Sequence, residues 1–335
     1  MSHDQAVVAV RRGVRDALAG LDPRATGPVV VACSGGADSL ALLAATVAEV
    51  ARAGRAGAPT PRVVGATVDH GLQDGSAEHA ARVVEQMATT GADETLTARV
   101  AVTTAGRGPE AAAREARYAV LEQVATSLDA AAVLLGHTLD DQAETVLLGL
   151  ARGSGGRSVA GMRPGFGPFL RPLLDVRRAE TLAYCAAEGL TVWDDPHNED
   201  PRFTRVRVRR RVLPVLEEEL GPGVAETLAR TAGQLRADTE ALDGWAEDAL
   251  ATASTGDGAL DLAPLTALPA AVRTRVLRAA ALRAGSPGAE LFHVHVAALD
   301  RLVAGRLRGQ VQLPGHLTGS LVAGTLRFTA TVVPG

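Results

Sequence analysis

Pro28-Val29-Val30-Val31-Ala32-Cys33-Ser34-Gly35-Gly36-Ala37-Asp38-Ser39 is the stretch that decides the fold. Pro28 to Cys33 is a short apolar run that reads as a buried strand, and from Asp38 to Val50 apolar residues recur at helical spacing. Between them lies a glycine turn from a strand's carboxyl end into a helix. The two glycines let the backbone approach an anion and turn its N–H groups toward it. The hydroxyls of Ser34 and Ser39 add donors, and the helix start adds the positive end of its dipole. Asp38 repels a phosphate unless a cation intervenes, which points to Mg²⁺ between them. The plainer alternative is a glycine turn capped by Ser and Asp.

Outward from this turn the pattern repeats. Arg62 to Val68 reads as a second strand and Ser76 to Ala88 as its helix. Leu96 to Val102 and Glu110 to Ser127 follow as strand and helix, then Ala131 to Leu135 and a helix from about Asp140 to Leu150. Such alternation predicts an α/β fold: a parallel sheet with helices on both faces. From about Val176 no strand is expected; Arg177 to Glu188 is helical, and a polar loop from Asp194 to Arg202 leads into an Arg-rich helix. Gly221-Pro222-Gly223 marks the expected boundary, giving domains 1–220 and 221–335. The second is expected to hold three helices over 224–305 and a small β element from Gln310 to Val333.

All 34 basic residues are Arg, which excludes a Walker A lysine and any lysyl intermediate on the chain itself. With a net charge of −4, any nucleic-acid site must be a local Arg patch, and the densest run is Arg202, Arg205, Arg207, Arg209, Arg210 and Arg211. Cys33 and Cys185 form no Cys-x-x-Cys pair, which fits a reducing compartment and supplies no zinc site. No apolar run approaches a membrane span, so a cytoplasmic protein without a membrane partner is expected.

Three further segments carry candidate chemistry. Val68-Asp69-His70-Gly71-Leu72 ends the second strand, where ligands bind in open α/β sheets; a strand-terminating turn is the bland reading. Gly136-His137-Thr138-Leu139-Asp140-Asp141-Gln142-Ala143-Glu144 opens a helix, with Asp141 and Glu144 on one face and Asp140 near the N-cap. Acids are common at helix starts for dipole reasons, but this set also suits Mg²⁺ or an ammonium group. Arg114 and Arg117 sit three apart on another helix, as a solvated face or as stabilisers of phosphate charge.

The hexapeptide Ser34 to Ser39 resembles the PP-loop of the ATP pyrophosphatase superfamily, and the four segments together resemble the tRNA(Ile)-lysidine synthetase family. The match runs on through Gly161-Met162, Arg171-Pro172-Leu173-Leu174, Trp193 to Asn198, Phe203-Thr204-Arg205 and Arg211 to Pro214. Thr138 stands where many relatives have a second His, and Val206 where they have Asn. The resemblance implies an adenine nucleotide α-hydrolase-like fold and use of ATP with Mg²⁺. It further implies adenylation of the wobble cytidine of a CAU-anticodon tRNA(Ile), followed by attack of free L-lysine. It assigns ATP to Ser34, Gly35, Gly36, Ala37, Asp38, Ser39, Asp69, His70 and Gly136, and the metal to Asp38 and Asp141. Asp141 and Glu144 are implied for the lysine ammonium, and Arg114 and Arg205 for substrate phosphate or the developing charge. The domain beyond residue 220 is implied to bind tRNA, and the assembly to be a homodimer. The alternatives are another PP-loop enzyme such as a tRNA thiolase, for which the two cysteines supply no catalytic set, and a non-catalytic RNA-binding module.

Overall fold

The computed structural model describes residues 3–69, 75–100, 109–153, 155–193 and 199–331. The chain divides into two compact units, Met1–Gly233 and Gln234–Gly335.

The first unit is built on a six-stranded sheet of order β3-β2-β1-β4-β6-β5. Its strands are β1 Val29–Ala32, β2 Val63–Asp69, β3 Glu94–Arg99, β4 Ala132–Leu135, β5 Gly165–Phe166 and β6 Phe169–Leu170. All neighbours are parallel except the β5–β6 hairpin. Successive residues of β1 face opposite ways, as a pleat demands. Val29, Val31 and Cys33 join a core with Val10, Leu40, Val83 and Tyr184, whereas Val30 joins Leu121, Val133 and Phe169 on the other face. The first core is covered by helices α1 His3–Ala19, α2 Ala37–Arg55, α3 Ser76–Thr89 and, after α5 Leu139–Arg152 and α6 Gly156–Val159, α7 Arg178–Ala187. The second is covered by α4 Pro109–Ser127. The expected sheet with helices on both faces is present.

Chain direction fixes where a ligand can sit. From β1 the chain crosses through α2 to β2 on one side, while β4, β1's other neighbour, is reached only after β3 and α4. The turns leaving β1 and β4 therefore diverge, and a crevice at the carboxyl edge is the result. Gly136 makes the close approach possible: a Cβ there would stand 3.0 Å from the Asp38 carbonyl oxygen and 3.1 Å from the Ser39 nitrogen.

After α7 come α8 Thr204–Arg207, a π-helical turn Val208–Val212, α9 Leu213–Leu220 and α10 Val224–Ala253. Glu217 accepts from the N–H groups of Gly223, Val224 and Ala225, so it caps α10. The second unit packs β7 Leu260–Asp261, α11 Leu262–Ala267, α12 Ala270–Arg283 and α13 His293–Val303 with strands β8 Gln310–Leu313, β9 Leu317–Val322 and β10 Thr325–Ala330. These last strands form an antiparallel sheet of order β7-β10-β9-β8 over a core that includes Leu265, Leu277, Leu299 and Leu326.

Several elements differ from the sequence reading. Helix α1 and the β5–β6 hairpin are additional, β3 runs from Glu94 to Arg99, and four helices with a short strand occupy the span read as three helices. Asp261 explains one added break: its carboxylate caps α11 by accepting from Ala263 N–H at 3.0 Å. No helix among the described residues is long and apolar enough to cross a membrane.

Candidate active site

The glycine turn after β1 is fastened on all sides but one. Ser39 Oγ donates to the Gly36 carbonyl at 2.9 Å and accepts from the Ser34 N–H at 3.1 Å. That hydroxyl, expected as a donor to a ligand, is spent bracing the loop. The Ser34 carbonyl accepts from His79 Nε2 at 3.1 Å and the Gly35 carbonyl from the Trp193 N–H at 3.1 Å. Gly35 takes φ +83°, a conformation that glycine adopts without strain. With its carbonyls tied back, the turn leaves the first N–H groups of α2 without partners inside the helix, as at any helix start.

Facing it, α5 begins with a reciprocal cap. Asp141 Oδ2 accepts from the Thr138 N–H at 2.9 Å and from Thr138 Oγ1 at 3.1 Å. Asp141 Oδ1 accepts from Arg178 Nη2 at 2.9 Å and Arg209 Nη2 at 3.4 Å. Glu144, whose side chain is 0% exposed, takes Arg209 Nε at 2.6 Å and Arg178 Nη1 at 3.4 Å on one oxygen. On its other oxygen it takes Arg209 Nη2 at 3.2 Å and Arg205 Nε at 3.3 Å. Asp38 accepts from Arg178 Nε at 3.2 Å and from the Thr181 hydroxyl. Asp140 accepts from the Arg178 N–H at 2.7 Å and pairs with Arg177 at 3.2 Å. Every oxygen of the four carboxylates is engaged, and four guanidiniums face them, Arg177 also pairing with Glu226 at 2.7 Å. Burial opposes ionisation of Asp141, but Arg178, the Thr138 N–H and Arg205 outweigh it and hold the carboxyl down to about 2. For Asp38 burial prevails and pushes the carboxyl up, against Arg178 and Thr181.

Next to this acidic centre lies a basic one. Arg171, 8% exposed, donates to His137 Nδ1 at 3.2 Å, the Arg163 carbonyl at 2.6 Å and Tyr118 Oη at 3.3 Å. Arg114 donates to the same hydroxyl at 3.1 Å. A guanidinium only donates, so His137 Nδ1 accepts and its proton sits on Nε2. Burial, joined by Arg171, Arg114 and Arg117 against the pull of Asp141, takes the His137 imidazole down to about 3. Burial likewise lowers Arg114 and Arg117, with neighbouring arginines adding to it.

Of the residues singled out from sequence, Asp38, Asp141, Glu144 and Arg205 meet in the acidic centre, with Asp140 at its edge, and Arg114 stands in the basic one. Asp69 ends β2, buried, and pairs with Arg99 at 3.3 Å. His70 lies outside the described residues. The Arg run divides: Arg205 and Arg209 turn inward to Glu144, while Arg202 and Arg210 pair with Asp200 and Glu199. Arg178 and Thr181 joined the site unforeseen, as did Arg171 and His137 as partners. Arg178 lies between Asp38 and Asp141, bonded to both, and among the described residues no three carboxylate, histidine or cysteine side chains gather as a cation-binding set. As arranged, the residues fit a guanidinium and do not frame a divalent metal.

A glycine turn and a carboxylate cluster at the carboxyl edge of a parallel sheet, in a chain that a PP-loop domain model matches, define an ATP-using PP-loop protein. A PP-loop domain model matches residues 11–216, and a TilS substrate-binding domain model matches residues 260–323. The chain is 54% identical over 314 residues to the tRNA(Ile)-lysidine synthase of Thermobifida fusca, covering 93% of this chain and 92% of that one. It is 52% identical over 326 residues to the tRNA(Ile)-lysidine synthase of Salinispora tropica, covering 96% and 95%. Among solved structures, the U34-tRNA thiolase NcsA of Methanococcus maripaludis shares the fold, with a TM-score of 0.56 and 18% identity over 69% of this chain and 80% of that one. The chain belongs to the tRNA(Ile)-lysidine synthase family and, with it, is an ATP-dependent ligase.

Proposed function

We propose that this protein adenylates the carbon-2 oxygen of the wobble cytidine in a tRNA(Ile) with a CAU anticodon. The ε-amine of free L-lysine then displaces AMP and leaves lysidine, with pyrophosphate released in the first step. An amide-like oxygen is a poor leaving group until it carries AMP, so activation must precede amine attack. What carries the reading is one coincidence of position: the phosphate turn and the carboxylates of Asp38, Asp140, Asp141 and Glu144 meet at one edge of one sheet, in a chain of this family.

Ser34 to Ser39 hold the leaving pyrophosphate through backbone N–H groups, while Asp69, His70 and Gly136 border the adenosine. Asp141 and Glu144 hold the lysine ammonium, and Arg114 and Arg205 take substrate phosphate or offset developing charge. Mg²⁺ arrives with ATP; Asp38 and Asp141 would hold it only if Arg178 moved from between them, and no step is assigned to the ion. Residues 1–220 form the catalytic domain and residues 221–335 the tRNA-binding domain of a cytoplasmic homodimer.

The test is transfer of radiolabelled lysine to tRNA(Ile) bearing CAU, with ATP and Mg²⁺ present and a methionine tRNA as control. Transfer to the first alone is expected. Cleavage of ATP to AMP without lysine transfer overturns the choice of nucleophile.

A further inference from the structure

Arg114, Arg117 and Arg171 form no ion pair with a carboxylate among the described residues. Arg171, nine-tenths buried, has three neutral partners, and Arg114 has the Tyr118 hydroxyl and ring, its Cζ 5.1 Å from the ring centroid. Arg117 is half-buried. Three guanidiniums repel one another here, and taking such charges from water without an opposite charge is costly. The acidic centre beside them shows the chain's ordinary solution, in which every charge is matched. Asp141 pulls on Arg114 and Arg117 from the neighbouring centre, but no carboxylate among the described residues pairs with any of the three, which leaves them suited to an anionic ligand.

An aromatic wall closes this centre. Phe166, at the hairpin tip before Gly167 and Pro168, is 38% exposed although it is large and apolar. Its ring stacks on buried Phe169 with centroids 5.0 Å apart and stands 5.7 Å from Tyr118. Arg171 Cζ lies 4.6 Å from the Phe166 centroid. Cations beside a part-exposed aromatic ring are the pairing that binds unpaired nucleotides, the charge taking the phosphate and the ring taking the base. The place also fits, since Arg171 follows β6 and touches His137, which follows β4, at the edge where the acidic centre lies.

We propose that Arg114, Arg117, Arg171 and Phe166 form a subsite for one unpaired RNA nucleotide, with its phosphate on the guanidiniums and its base against Phe166. This rests on the reading that the substrate is a tRNA. The phosphate belongs to the RNA backbone and not to ATP, because the phosphate turn stands across the crevice after β1 and has its own donors.

The experiment measures wild-type, R117Q and F166A binding to unmodified tRNA(Ile) across about 50 to 250 mM salt, and their ATP binding alongside. Arg117→Gln is expected to reduce the slope of log affinity against log salt by about one. Phe166→Ala is expected to weaken tRNA binding by about tenfold or more with the slope unchanged. Both variants should bind ATP as the wild type does, which also shows that they are folded. Wild-type affinity and slope in R117Q and F166A overturn the subsite while leaving the proposed reaction standing. Lost ATP affinity in R117Q with an unchanged slope gives the arginines to ATP and overturns it too. Failure of the wild-type enzyme to bind tRNA removes both readings.

Discussion

Glu49 and Glu144 are near twins in different settings. Each is a helix glutamate with a side chain no more than 1% exposed, and each is shared by three arginines. Glu49 takes Arg11 at 2.7 Å, Arg15 at 2.9 Å and Arg52 at 2.7 Å. Two of those arginines come from α1, so the cluster staples α1 to α2, far from any strand's carboxyl end. Its arginines are 28% to 48% exposed, whereas the three around Glu144 are 23% to 26% exposed, and two of them are shared with other carboxylates, Arg178 with Asp38 and Asp141 and Arg209 with Asp141. A buried carboxylate ringed by guanidiniums is therefore no mark of function by itself. Function follows from the sheet edge it occupies and from the second carboxylate on the same arginine.

The sharpest way to break this comparison is to neutralise each glutamate in turn. Glu144→Gln should cost about 3 kcal/mol or more in urea unfolding, because three guanidiniums lose a shared charge. Lysidine formation should fall by more than about 100-fold, roughly the same energy read at the transition state. Glu49→Gln should cost about 1–2 kcal/mol, since two of its arginines are open to water, and should leave turnover of the folded enzyme within about twofold. Equal losses of turnover would erase the distinction between staple and site.

A smaller effect separates the two centres within the crevice. Arg117→Gln removes a charge that pairs with no carboxylate among the described residues, so unfolding stability should stay within about 0.5 kcal/mol of wild type or rise. A loss as large as that of Glu144→Gln would mean that the basic centre is paid for internally.

The smallest effect is a slope in pH. His137 sits at about 3 when folded and near its ordinary 6.5 when unfolded, so between these values the unfolded chain binds more protons. Its contribution is fully present above 6.5 and is lost as pH falls toward 3. Asp141 adds a second loss, as pH falls from 3.8 toward about 2. Urea midpoints at pH 5 and 7.5 should differ less in His137→Gln than in wild type; an unchanged difference would place the titration elsewhere.

Much of the fold was legible because its signals are local. Val29 to Ala32 and Ala132 to Leu135 are short apolar runs beside turn residues, and α5 announces itself by Thr138 and its acids. The α1 helix carried the same kind of signal, with Ala6, Val10 and Val14 buried at four-residue spacing. The β5–β6 hairpin did not, since strands of two residues have no period. The glycine turn after β1 and the acids that open α5 could be placed from their positions in the sequence. Arg178 and Thr181 could not: they reach Asp38 across 140 and 143 residues, a distance no local pattern spans. Arg205 and Arg209 did carry a signal, because their four-residue spacing places them on one helix face. Reading the run only for its density hid that inward face.

The choice of arginine throughout the acidic centre bears on side reactions. A guanidinium keeps its proton at any ordinary pH, whereas an ammonium in such a pocket can lose its own and become a nucleophile. The proposed reaction creates an electrophile intended for the amine of a visiting lysine. Arg177, Arg178, Arg205 and Arg209 supply four positive charges around it without a single reactive lone pair, and all 34 basic residues of the chain are of the same kind. No side-chain amine of this chain can intercept its own activated intermediate, so modification of a lysine of its own is closed off by composition.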